Sequence, residues 1–207
     1  MNDRLGTHYW ERGTSEVTLL LLHGTGGSER DLLDLGRAVH PTANLLSPRG
    51  RVSENGMARY FRRLAEGVFD LDDLRFRTRE LAEFVSDAAA EYGFDAGKAV
   101  ALGFSNGANI AASLLLSGYD IPSAALLLAP MVPFEPETPP DLNERAVFIG
   151  AGRTDGMVPT ALTERLGELL TDAGAAVTTH WHPGGHRITR DEIEAAREWL
   201  ARQRIGN

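Results

Sequence analysis

Short runs of consecutive apolar residues recur along the chain, separated by longer stretches in which apolar positions return at helical spacing. The runs at 17–24 (VTLLLLHG), 43–48 (ANLLSP), 98–104 (KAVALGF), 123–130 (SAALLLAP), 146–152 (AVFIGAG) and 177–183 (VTTHWHP) are strand-length and end at or beside Gly or Pro. Continuous rather than alternating apolarity suits strands covered on both faces, as in a parallel sheet. The intervening stretches predict helices over Glu29–Val39, Asp72–Tyr92, Asn106–Ser117, Thr160–Ala173 and Arg190–Arg204. In the second, Leu74, Leu81, Phe84, Val85 and Ala88 form one apolar stripe. Ser28-Glu29-Arg30 offers capping groups ahead of Asp31, and Thr189 and Glu192 have the spacing of a capping box. Strand and helix alternate, so the expected class is α/β with a mainly parallel sheet and helices on both faces. An early run at His8–Arg12 predicts an antiparallel edge strand, and the proline-rich 130–142 predicts a long irregular loop.

Length and composition narrow this picture. The 207 residues suit one domain spanning 1–207, and nothing in the chain marks a linker. A net charge of −8 lacks the basic footprint of a nucleic-acid partner. With no cysteine there is no disulfide, thiolate metal site or cysteine nucleophile. The polar start MNDRLGTHYWERG has no signal-peptide core, and no apolar run approaches the ~20 residues of a membrane span. The expected location is the cytoplasm.

Two glycine-rich turns follow strands. In HGTGGSERDLL a phosphate site would rest on backbone N–H groups. Glu29 occupies the third glycine position of the dinucleotide fingerprint, however, and the P-loop Gly-Lys-Ser/Thr is missing. The second turn, Gly103-Phe104-Ser105-Asn106-Gly107, fits Gly-x-Ser-x-Gly between a buried strand and a helix. There a serine stands on a tight turn, and glycines allow the close backbone approach. A serine hydroxyl needs a neighbouring base, itself oriented by a carboxylate. In this architecture the chain order is Ser, then Asp or Glu, then His, each after a strand. Asp155 follows the strand at 146–152 and His186 follows the strand at 177–183. Alone, Asp155-Gly156 reads as a turn and His186 as a surface or capping histidine; the order of all three favours a nucleophilic site. His180, His182 and His186 invite a zinc reading, but His8, His23 and His40 lie on scattered early elements and supply no further cluster.

The segments LLLHGTGG, GFSNGAN, GRTDGMVP and PGGHRITRDEIEAAREWL together resemble the small serine carboxylesterases of the α/β-hydrolase superfamily. Within it the resemblance is to the phospholipase/carboxylesterase group, which includes acyl-protein-thioesterase-like enzymes and a bacterial branch associated with hydroquinone stress. It spans about Leu19 to Leu200. It implies a three-layer fold with a twisted sheet, Ser105 as nucleophile, His186 as general base and acid, and Asp155 as its orienting carboxylate. It also implies an oxyanion hole from the backbone N–H groups of Thr25 and Asn106. Relatives often carry Leu and Gln at these two positions, and a threonine hydroxyl would offer an extra donor. His23 reads as a buried structural histidine. No metal or organic cofactor is implied.

Substrate features are read more thinly. The core elements use up nearly the whole chain, so no large cap domain is expected, which favours short to medium acyl esters or thioesters over lipid droplets. Met131 and Val132, with Phe134, are candidates for an acyl pocket; Arg49 and Phe61, with Tyr60, are candidates for a second wall within 47–67. The implied partner is a small-molecule ester or thioester, with longer acyl chains as the alternative. A homodimer is an open option, and a silent small-molecule-binding scaffold is the reading from another class.

Overall fold

The apolar runs form the strands of one seven-stranded sheet in a computed structural model that describes residues 5–203 and 205. The chain begins β1 (His8–Glu11), β2 (Thr18–Leu22), α1 (Leu33–Val39) and β3 (Asn44–Pro48). Four short strands follow, β4 (Val52–Glu54), β5 (Met57–Arg59), β6 (Arg63–Ala65) and β7 (Val68–Phe69). Then come α2 (Leu71–Tyr92), β8 (Ala99–Phe104), α3 (Asn106–Leu116), β9 (Ala124–Leu128), β10 (Ala146–Gly152), α4 (Thr160–Asp172), β11 (Ala176–His182) and α5 (Arg190–Arg202).

The sheet order is β1-β3-β2-β8-β9-β10-β11, with every pairing parallel except β1 against β3 at the edge. Strand side chains alternate between faces, so each apolar run feeds two cores. Leu19, Leu21, Val100, Leu102, Leu126 and Phe148 pack with α1 and α5 through Leu33, Val39, Trp199 and Leu200. Leu20, Leu22, Ala101, Leu127, Val147 and Ile149 pack with α2, α3 and α4 through Leu74, Val85, Leu115, Leu166 and Leu170. The three-layer arrangement follows directly from that alternation. Among the described residues no helix is long and apolar enough to cross a membrane.

The predicted stripe of α2 is buried, from Leu74 to Ala88. Asp70 caps its start by accepting from the Asp73 N–H, and Gly93 ends it in the left-handed region at φ 68°. The Thr189–Glu192 capping box starts α5 as predicted. That helix ends at Arg202, and Arg204 of the predicted span lies outside the described residues.

Two expectations change. The first helix starts at Leu33 rather than Glu29. Ser28 Oγ donates to Asp31 at 2.6 Å and Glu29 is tied to Arg49 at 2.6 Å, so local side-chain bonds hold 28–31 in a turn instead of a helix. The segment 47–67, read only as a candidate pocket wall, contains the antiparallel hairpin β4–β5 and the start of a second, β6–β7. Asn55 and Gly56 sit at the tip of the first with φ of 52° and 82°, and this Asn-Gly pair was the hairpin signal available in the sequence. The insertion between β3 and α2 is thus two small hairpins, not a helical cap.

Candidate active site

Ser105 sits between β8 and α3 with φ 52° and ψ −115°, a conformation costing about 1–3 kcal/mol for a residue with a Cβ. The surroundings enforce it. The Ser105 N–H donates to the Leu128 carbonyl and its own carbonyl accepts from the Asn109 N–H, both at 2.9 Å. A Cβ on Gly103 would lie 2.5 Å from the Gly107 carbonyl oxygen, and one on Gly107 would lie 1.9 Å from the Leu22 oxygen. Both glycines are therefore demanded by backbone-to-backbone contact, one between β8 and α3 and the other between α3 and β2. Although Ser105 is at the N-cap of α3, its side chain makes no capping bond. The hydroxyl instead meets His186.

His186 Nε2 lies 2.9 Å from Ser105 Oγ, and Nδ1 lies 2.7 Å from Asp155 Oδ2. An ionised carboxylate only accepts, so Nδ1 carries the proton and Nε2 presents its lone pair to the serine O–H. The second oxygen, Oδ1 of Asp155, accepts from the N–H groups of Met157 at 2.8 Å and Val158 at 3.0 Å. The carboxylate is 3% exposed and the imidazole 14%, so the pair is shielded yet reachable. The face of Phe104 flanks the imidazole at 5.2 Å. Backbone contact again sets the approach, since a Cβ on Gly152 would lie within 2.4 Å of the carbonyl oxygens of Gly184 and Gly185.

Behind His186 lie His182 and Glu192, both buried. The Gly184 N–H donates to His182 Nδ1 at 3.1 Å, leaving the ring proton on Nε2, 3.8 Å from Glu192 Oε2. Burial lowers the His182 pKa and raises that of Glu192 to about 7, which favours the neutral form of each. Glu192 accepts from the Thr189 N–H at 3.2 Å. Sequence spacing identified its cap but not its burial against the β10 backbone at Gly150.

On the other side of Ser105, the loop after β2 carries Thr25. Among the described residues neither the Thr25 nor the Asn106 N–H donates to a protein acceptor; Asn106 directly follows Ser105, and a Cβ on Gly24, next to Thr25, would lie 3.0 Å from the Phe104 ring. The Gly26 N–H is held by the Ala58 carbonyl at 2.8 Å, which pins the loop to β5. His23 is fully buried, as a structural role requires. Its Nδ1 donates to the Gly24 carbonyl at 2.7 Å and its Nε2 accepts from the Gly50 N–H at 3.0 Å, a pattern only the neutral imidazole satisfies. Burial lowers its pKa accordingly.

The candidate pocket residues separate. Phe61 is corrected: it is fully buried, edge-to-face with Phe69 in the core, and walls no open pocket. Tyr60 is also buried; its hydroxyl donates to the Pro48 carbonyl at 2.7 Å and accepts from the His23 N–H at 3.2 Å. The Tyr60 N–H donates to Asn106 Oδ1 at 2.8 Å, joining this segment to the turn that carries Ser105. Arg49 pairs with Glu29 and borders a cleft lined by Arg51, Arg77, Leu81 and Phe84, a group that does not include Ser105 or His186. Met131 is buried, with its N–H on Asn109 Oδ1 at 2.9 Å, while Val132 packs against the core of α2, α3 and α4. Among the described residues no three His, Asp or Glu side chains gather as a metal site; His180 instead stacks on Phe148 and approaches Asp191 at 3.4 Å. The residue the sequence reading missed is Arg59, buried and bonded to Thr25.

Comparison with known proteins identifies the family of the chain. The family described as Phospholipase/Carboxylesterase matches residues 11–203. MhqD of Bacillus subtilis (strain 168) is 52% identical over 192 residues, covering 93% of this chain and 96% of that protein. The crystal structure of a Bacillus cereus carboxylesterase is similar at TM-score 0.92 and 50% identity, covering 94% of this chain and 93% of that one. A Mesorhizobium loti carboxylesterase has TM-score 0.85 at 34% identity, covering 92% and 91%.

Proposed function

Because the chain belongs to the phospholipase/carboxylesterase family and is a hydrolase, we propose that it cleaves short to medium acyl esters through a serine-bound acyl intermediate. The observation that carries this reading is the imidazole of His186 bridging Ser105 Oγ at 2.9 Å and Asp155 at 2.7 Å.

In the proposed cycle Ser105 Oγ attacks the ester carbonyl carbon while its proton passes to His186 Nε2. Asp155 holds the ring in the required tautomer and stabilises the imidazolium. The carbonyl oxygen becomes an oxyanion facing the Thr25 and Asn106 N–H groups, with Asn106 also at the positive end of α3. Loss of one such donor costs roughly 3–4 kcal/mol in comparable enzymes. Collapse expels the alkoxide, which takes the proton from His186 and leaves as alcohol. Water then attacks the acyl-enzyme, giving its proton to His186, and the carboxylic acid departs as Ser105 regains its proton. The preference for short to medium chains is supported by the segment between β3 and α2, which holds two small hairpins and no helical insertion.

The test combines a fluorophosphonate probe with an ester and thioester panel of graded acyl length. Wild-type protein is expected to label, and Ser105→Ala to lose labelling and roughly a millionfold in kcat, the scale for deleting such a nucleophile. Labelled Ser105→Ala, or folded wild type that never labels, rejects the mechanism. Fastest turnover on long acyl thioesters rejects the substrate range alone.

A further inference from the structure

A guanidinium lies almost fully buried beside the loop that carries Thr25. Arg59, at the end of β5, is 3% exposed, and burial lowers its pKa without any neutral alternative for a guanidinium at working pH. Its Nε donates to the Phe61 carbonyl at 3.2 Å and lies 3.2 Å from Glu54 Oε2. Those contacts fix the plane of the group. Its Nη1 then donates to Thr25 Oγ1 at 2.7 Å. Burying an arginine to bond an exposed threonine on a loop that Gly26 and Ala58 already pin is costly for anchoring alone.

We propose that Arg59 is a positioning residue that orients and polarises the Thr25 hydroxyl into a third oxyanion donor. The inference rests on the serine mechanism above. A threonine hydroxyl has one hydrogen and two lone pairs. With one lone pair engaged by Arg59, the O–H hydrogen is directed away from the guanidinium. Charge-assisted donation into Oγ1 also strengthens what the O–H donates in turn. The loop is in place for this: a Cβ on Gly24 would lie 3.0 Å from the Phe104 ring, one residue from Ser105, and β2 pairs with β8 up to Leu22 and Gly103. The unpaired Thr25 N–H belongs to the same residue. One residue thereby offers two donors, and Arg59 sets the direction of the second.

The experiment measures kcat, KM and fluorophosphonate labelling rate for Thr25→Val, Thr25→Ser, Arg59→Met, Arg59→Lys and the Thr25→Val/Arg59→Met double variant. Folding is checked by circular dichroism. Thr25→Val is expected to lose about 10- to 100-fold in kcat with KM within twofold, somewhat less than removal of a main oxyanion donor. Arg59→Met should lose a similar amount, Arg59→Lys and Thr25→Ser should restore most of it, and the double variant should fall no further than Thr25→Val. Multiplicative losses in the double variant, or unchanged kcat in folded Thr25→Val, overturn the proposal. Thr25 is exposed, so that second measurement stands even where Arg59→Met does not fold. Activity retained by Ser105→Ala sinks the serine mechanism itself, whereas its loss alongside an unaffected Thr25→Val sinks only the role of Arg59.

Discussion

Ser105 is flanked by two regions built by different means. On one side, His186 and Asp155 stand on loops that leave β10 and β11, adjacent parallel strands, and close-packed glycine backbone sets their separation. On the other, Thr25 sits on a loop held against the segment 49–61: the Tyr60 hydroxyl accepts from the His23 N–H, His23 Nε2 accepts from the Gly50 N–H, and Arg59 donates to Thr25 Oγ1. The first flank inherits its geometry from the sheet. The second has to be assembled from polar groups buried one by one, and each of them becomes costly when its partner is removed.

The sharpest way to break this contrast is Tyr60→Phe. Removing the hydroxyl leaves the buried His23 N–H and the Pro48 carbonyl without it, and the expected loss is roughly 2–5 kcal/mol in denaturant unfolding. A loss below about 0.5 kcal/mol would mean that the Thr25 flank is held by packing like the other.

The His186 flank has its own buried polar group, and its effect is predicted to depend on pH. Burial raises the Glu192 carboxyl to about 7 from an ordinary 4.5, so the folded state holds the proton more tightly than the unfolded chain. That contribution is complete below about 4.5 and is lost as pH rises through about 7. Glu192→Gln keeps an oxygen for the Thr189 N–H but cannot ionise. Relative to wild type, its unfolding free energy is expected to rise by on the order of 1–3 kcal/mol between pH 4.5 and pH 8. A difference that stays flat across this range would show that the carboxylate is solvated.

The smallest effect belongs to Arg49→Ala. Its pair with Glu29 has side chains 45% and 12% exposed, and such pairs contribute about 0–1 kcal/mol. The KM for neutral esters should stay within about twofold of wild type; a tenfold rise would make Arg49 the substrate contact for which the sequence offered it as a candidate.

The same division governs what the sequence could reveal. The strands, the α2 stripe and the α5 capping box are written in local periodicity, and the meeting of Ser105, Asp155 and His186 follows from strand order. Gly103 and Gly107 were legible through the Gly-x-Ser-x-Gly pattern, and their contacts admit only glycine; Gly152, equally constrained, was read only as the end of a strand. In the segment 49–69 only the Asn55-Gly56 turn carried a local signal. Phe61 has the same apolar character whether it walls a pocket or fills a core, and Arg49 the same charge whether it meets a substrate or Glu29. Arg59 is buried only because Phe61, Glu54 and Thr25 converge on it from separate elements, and no spacing encodes that. The early turn at 28–31 escaped for a related reason, since its Ser28–Asp31 bond competes with a helix that the composition equally allows.

The contact between Gly107 and the carbonyls of Leu22 and His23 has a mechanical meaning. It acts as a gauge block between the Ser105 turn and the strand that launches the Thr25 loop, backbone touching backbone with no side chain to flex between them. Thermal rotation of side chains cannot change that spacing. In the proposed mechanism the gap between the Ser105 oxygen and the Thr25 and Asn106 N–H groups is thereby a fixed tolerance of the fold, and an ester that turns over must fit its carbonyl to it.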